Sequence, residues 1–272
     1  MDQRSTFVAA FLRTVRLPVI PEVANALIRT LKEDDVSIEQ VRNLVAMDAV
    51  ITAKVMRAAN AAAIGSSRRL NTLDAALTMI GTSQVRMLAL TACMNIAFPD
   101  VPGISSADTW KRTMRCAGYA RWLATEAGLD SQEAWLAGMM LTLGELIILQ
   151  HRPDVLSSIK RAPVVPGQRW HSEMSALGFT EADVAAELTR RWHFPDRMVN
   201  TLQLAAEPMA TKKFDRLSGV LHLSCMLADM PPSEPKHLNA LPAKVFNSLG
   251  LTHQALQGKI PADDTFADLA DI

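Results

Sequence analysis

The 272-residue chain has little aromatic material: Phe, Trp and Tyr make up 5% of it, and there is a single tyrosine, Tyr119. Sheet cores draw on aromatic and β-branched side chains, so a β-sandwich is poorly supplied. Net charge is also missing. Lys and Arg total 28 and Asp and Glu total 28, which argues against a strongly basic nucleic-acid binder. Cysteine is scarce, and Cys93, Cys116 and Cys225 stand far apart. An odd count with no Cys-x-x-Cys does not fit a disulfide framework, a thioredoxin-type pair or a zinc ribbon. These cysteines read as small buried apolar residues of a reducing, cytoplasmic protein. No secretory leader is legible, because Arg13 and Arg16 interrupt the apolar N-terminal stretch. The charge-free run from Met87 to Pro99 falls far short of the ~20 residues needed to span a bilayer. No membrane association is therefore expected. Gly-x-Ser-x-Gly, the P-loop pattern and Gly-x-Gly-x-x-Gly are absent as well, so the common nucleophile and phosphate-binding motifs are not available.

What is present is an apolar fraction of 49%, enough for a substantial core, and punctuation of helical type throughout. Pro21 opens a segment whose Val23, Leu27, Ile28 and Leu31 share a face. Ser37 and Gln40 form a capping box for a helix with Ile38, Val41, Leu44 and Val45 on one stripe. Asp48 can cap the following helix. After a loop over 65–69, Asn71 starts a helix that stops at Gly81, and Thr82 begins an apolar one reaching about Phe98. Residues 99–106 form a loop. Helices are then expected from about Ala107 to Ala127, from Asp130 to Leu149, from Thr180 to near Trp192, from Pro195 onward, and from about Thr211 to Met230. Two short ones follow, near Pro242–Leu249 and Thr252–Gln257. No convincing strand or fixed-period repeat appears. The expected fold is all-α. Its organisation is one helical domain over 10–210, C-terminal helices over 211–260 packed on the same domain, and an acidic, frayed tail over 261–272.

Several segments carry a resemblance. Leu17, Pro18, Ile20 and Pro21 precede Asp48, a long helix ending in Ala59-Asn60, and an apolar helix ending in Ile80-Gly81. Trp110 follows, then the run Ala137 to Leu146, then Leu188 to Pro195. In order and spacing this resembles the HDOD domain, a bacterial signalling module related to the HD phosphohydrolases. The resemblance spans about residues 10–230 and implies an all-helical bundle of the HD superfamily.

HD proteins bind divalent metals through histidines and aspartates on neighbouring helices, and the resemblance allows each position to be tested. The first helix histidine falls at Arg112. The His-Asp pair falls at Leu141-Thr142, and a third histidine at Glu181. A His-His pair falls at Ala205-Ala206, and the last aspartate at Cys225. Every position departs from the hydrolase pattern, and Arg112 puts a cation where a metal would sit. The six histidines, His151, His171, His193, His222, His237 and His253, are scattered, and none is followed by Asp. Each reads as a surface or hydrogen-bonded residue, with His222 the least ordinary because it lies on an apolar helix. The sequence therefore predicts no metal, no cofactor and no phosphohydrolase activity.

Two uses of the altered pocket follow. Arg112 and Glu181 could pair across it and hold the helices together. Alternatively, Arg112 with Lys111 and Arg115 could bind a phosphorylated ligand such as a cyclic dinucleotide. Fourteen methionines, among them Met139, Met140 and Met226, read as gap-filling core residues or as an adaptable partner groove. The favoured expectation is a non-catalytic regulatory or scaffold protein acting through protein–protein contact. The resemblance implies partners of the sensor-kinase, response-regulator or diguanylate-cyclase type. A ligand sensor is the alternative, and a divergent phosphodiesterase the remote one.

Overall fold

A computed structural model describes residues 3–33, 36–62, 70–98, 106–160, 165–231, 238–263 and 265–266. Among these residues there are fifteen α-helices, short 3-10 turns and no strand. The first six helices are α1 (Gln3–Arg13), α2 (Glu22–Thr30), α3 (Ile38–Ala46), α4 (Ala49–Ala62), α5 (Leu73–Ile80) and α6 (Thr82–Ala97). Two long ones follow, α7 (Ser106–Glu126) and α8 (Ser131–His151). The rest are α9 (Pro153–Lys160), α10 (Gln168–Leu177), α11 (Glu181–Arg191), α12 (Asp196–Leu204), α13 (Arg216–Asp229), α14 (Ala243–Leu249) and α15 (His253–Leu256).

Side-chain caps fix several of the helix starts. Asp48 Oδ1 accepts from the Val50 and Ile51 amides at the start of α4, and Asp130 does the same for Gln132 and Glu133 in α8. Thr180 and Asp183 form a reciprocal capping box on α11. Ser37 caps α3 through the Gln40 amide, but the Gln40 side chain turns to Glu33 rather than back to the cap, so the expected box is half-made. Thr72, not Asn71, caps α5, because its hydroxyl reaches the Ala75 amide. Helix α13 starts at Arg216 rather than Thr211, since Asp215 Oδ1 takes the Ser218 amide and sets the start. Helices α1, α9 and α10 were not legible. The expected loop over 65–69 lies outside the described residues, as does most of the loop over 99–106.

The core is built around α8, which packs against α7 and α11, while α13 lies across α7. Every residue of α8 from Ala134 to Leu149 is buried. The helix is long and apolar enough to cross a membrane by length and composition, but 89% of its most apolar window is buried inside the fold. Two glycines set its spacing. A Cβ on Gly138 would press on the Ala117 backbone of α7, and one on Gly144 would collide with the Glu181 backbone of α11. Helix α8 can therefore approach both neighbours at backbone distance.

The C-terminal tail departs from expectation at its start. Asp263 bonds Arg115 and Tyr119, and Phe266 is buried against Gly118. Its remaining acidic residues, Asp264, Asp268 and Asp271, lie outside the described residues.

Candidate functional site

Five helices direct charged side chains to one buried point. Helix α7 brings Arg112, and α8 brings Glu145. Helix α10 brings Arg169 and Glu173, one helical turn apart. Glu181 is the first residue of α11. Helix α13 supplies Cys225 and Asp229, four apart and hence on one face. The arginines are 13% and 11% exposed, and Glu145, Glu173 and Glu181 at most 1%.

Asp229 bridges the two guanidiniums. Its Oδ1 accepts from Arg112 Nε at 2.9 Å and Nη2 at 2.7 Å, and its Oδ2 from Arg169 Nε at 3.2 Å. Arg112 Nη1 lies 2.7 Å from Glu145 Oε2 and 3.8 Å from Glu181 Oε2. Arg169 Nη1 donates to Glu173 at 3.0 Å and its Nη2 to Glu181. Glu173 in turn accepts from the Glu181 amide at 2.8 Å, which caps the start of α11. Trp170 Nε1 donates to Glu181 Oε1 at 3.1 Å. The Cys225 sulfur lies within 3.2 Å of Arg112 Nη2 and 3.0 Å of Arg169 Nη2, and its thiol donates to Glu181 at 3.3 Å.

Four acids therefore face two guanidiniums in a largely buried site. An uncompensated buried charge is costly, so protonation states adjust. Burial pushes Glu173 up to about 8, against the pull of Arg169. Burial also raises the Cys225 thiol, so it stays a neutral donor. Asp229 is held below the ordinary carboxyl range, because Arg112 and Arg169 outweigh its burial. Both arginines are held firmly charged, since the acids outweigh burial and their mutual repulsion.

The sequence-derived positions divide into three groups. Arg112, Glu181 and Cys225 meet in the cluster. Leu141 is fully buried in the apolar core, and Thr142 Oγ1 bonds Thr113 and the Met139 carbonyl instead of facing the charges. The Ala205 carbonyl accepts from His222 Nδ1 at 2.9 Å, and Ala206 lines a neighbouring cleft. The expected Arg112–Glu181 pair is a 3.8 Å contact. Arg112 is held mainly by Glu145 and Asp229, and Glu181 by Arg169. Of the three residues expected to hold a phosphorylated ligand, Arg112 bonds carboxylates, Arg115 donates to Asp263 and the Met230 carbonyl, and Lys111 is exposed. Arg169, Glu145, Glu173 and Asp229 were missed. Asp229 stands one turn beyond Cys225 on the same face, a spacing that could have marked it.

The cleft beside the cluster measures about 430 Å³ and is lined by Trp170, Met174, Met226, Leu241 and His222 among others. Trp170 and His222 stack at 4.9 Å, and burial lowers the His222 pKa, so the ring is neutral.

The divalent metals implied by the HD resemblance do not fit these residues. Each of the four acids that could ligate a cation already pairs with at least one of two guanidiniums, which supply the positive charge. Among the described residues no group of three or more His, Cys, Asp and Glu is arranged to hold a metal ion.

A helical bundle closed around a buried polar cluster between α7, α8, α10, α11 and α13 is an all-α fold of the HD-superfamily type. The chain belongs to the HDOD domain family, whose profile matches residues 17–208. Solved structures share the architecture. A candidate phosphohydrolase from Shewanella amazonensis is 25% identical, with 97% of this chain and 96% of that one covered and a TM-score of 0.75. An HDOD domain protein of unknown function from Geobacter sulfurreducens is 20% identical over 98% and 93%, with a TM-score of 0.72. A candidate signal-transduction protein from Marinobacter aquaeolei is 20% identical, with a TM-score of 0.74. The match covers 99% of this chain and 64% of that one. No curated protein matches the chain.

Proposed function

We propose that this chain is a non-catalytic HDOD regulatory or scaffold protein of bacterial signal transduction, working through protein–protein contact. Arg112 and Arg169 support this reading most directly. They fill the space between the acids that a hydrolytic metal would need, and each is locked by at least two carboxylates. The family and the signalling description of the Marinobacter relative favour a signalling setting. A sensor kinase, response regulator or diguanylate-cyclase protein is the expected type of partner.

The test is hydrolysis of bis(p-nitrophenyl) phosphate with added Mn²⁺, Ni²⁺ or Mg²⁺, alongside an active HD phosphodiesterase. No turnover above buffer is expected. Metal-dependent turnover lost in Asp229→Asn would overturn the reading and favour hydrolysis, the activity suggested by the description of the Shewanella relative.

The sensor reading finds a different support from the one the sequence suggested. The cleft beside Trp170 and His222 is large enough for a small organic molecule. Trp170 touches both that cleft and Glu181, so a ligand there would press on the cluster.

A further inference from the structure

One turn beyond Arg112, α7 carries a second, smaller constellation. Arg115 Nε and the Tyr119 hydroxyl converge on one oxygen of Asp263, at 2.9 and 2.6 Å. Arg115 Nη2 also donates to the Met230 carbonyl at 2.5 Å, which fixes the guanidinium independently of the acid. Between these two residues lies Gly118, and the Phe266 ring sits where its Cβ would be. Tyr119 meets the same ring edge-on at 5.1 Å. The result is a socket with two readers three residues apart: a charge-assisted fork for a carboxylate and a glycine-floored seat for an aromatic ring.

We propose that this socket is a recognition site for a short segment bearing an acid and, three residues on, an aromatic ring. The chain's own Asp263–Phe266 segment occupies it in cis, and a partner protein docks by presenting a segment of the same chemistry in its place. The proposal deepens the scaffold reading by giving it a surface. The occupant follows from the observed complementarity: Arg115 is pre-set for a carboxylate, and any side chain at 118 would close the ring seat. The cis segment is joined by a short stretch to α15, whose Leu256 is fully buried. That tether gives the tail a high effective concentration. The contact rests on one acid and one ring, and so small a contact opens easily.

The experiment uses the full chain. Asp263→Asn with Phe266→Ala opens the socket, and a labelled peptide with the sequence of residues 261–272 serves as the probe in fluorescence anisotropy. The opened protein should bind the peptide. Wild type should bind it at least about tenfold more weakly, because its own tail competes. Gly118→Ala added to the opened protein should abolish binding with the melting temperature unchanged. No binding to an opened protein that melts like wild type would overturn the proposal, and so would binding indifferent to Gly118→Ala.

If the double variant melts early, Gly118→Ala alone decides. Tail release should speed tryptic cleavage after the exposed Lys259 with the fold intact, and an unchanged rate would sink the idea. Metal content and hydrolysis of the wild type judge the non-catalytic reading separately, so the two can fail independently.

Discussion

Arg112 and Arg115 stand one turn apart on α7 and make opposite kinds of contact. Arg112 enters a cluster where every partner comes from another long helix, and where removing one charge strands several others. Arg115 ties α7 to the chain's C-terminal tail, with a single acid and a single carbonyl as partners. The first is a device of the fold interior, and the second is a detachable clasp. The difference lies in how many groups lose their compensation when one side chain goes, not in the arginine itself.

The sharpest way to break this contrast is to truncate the interior. Arg169→Ala leaves Glu173, Glu181 and Asp229 short of a cation, and urea denaturation should show a loss of about 3–5 kcal/mol. A loss near that of an exposed pair would mean the cluster is not the keystone described. Gly144→Ala attacks the same region by shape, because its Cβ must push α11 away from α8. A cost of about 1–3 kcal/mol is expected from overpacking at that crossing. On the clasp side, Arg115→Ala should cost about 1–2 kcal/mol and leave the circular dichroism spectrum unchanged.

A pH series sharpens the contrast further. Glu173 is raised above its unfolded value, so its contribution is fully present below the ordinary carboxyl range and is lost as pH rises through about 8. Asp229 is lowered, so its contribution is present above that range and is lost on acidification through its folded value. The melting temperature should therefore fall between about pH 5 and 8, and more shallowly in Glu173→Gln. Equal slopes in the two proteins would contradict the assignment. Smallest of all is Arg152→Ala, which removes an exposed pair with Asp154. It should not move the melting curve.

The sequence carried the helices whose ends are written in caps. Asp48, Asp130 and the Thr180–Asp183 box each mark a start that the backbone then uses. It also carried three of the seven cluster residues, because Arg112, Glu181 and Cys225 sit at positions the family pattern indexes. Two more, Arg169 and Glu173, were hidden with α10. That helix follows a stretch with Pro163, Pro166 and Gly167, which reads as loop. It starts from a left-handed glycine without a side-chain cap, and so it announces nothing locally. Its Arg169 and Glu173 gain meaning only when Glu181 of α11 and Asp229 of α13 come within reach of them, a fact of tertiary structure. Glu145 was hidden for another reason: a lone acid in an apolar helix shows no partner until the helices that carry the arginines are placed. The packing at the start of the tail was hidden, because Phe266 had no visible seat until Gly118 was seen to provide one.

The most direct test of the central claim is elemental analysis of the purified protein after incubation with excess Mn²⁺ and Ni²⁺ and removal of the unbound metal. If Arg112 and Arg169 hold the place of the metal, the protein should retain none, while Arg112→Ala with Arg169→Ala, provided it stays folded, should gain some. A stoichiometric metal on the wild-type chain would contradict that claim and return the site to hydrolytic chemistry.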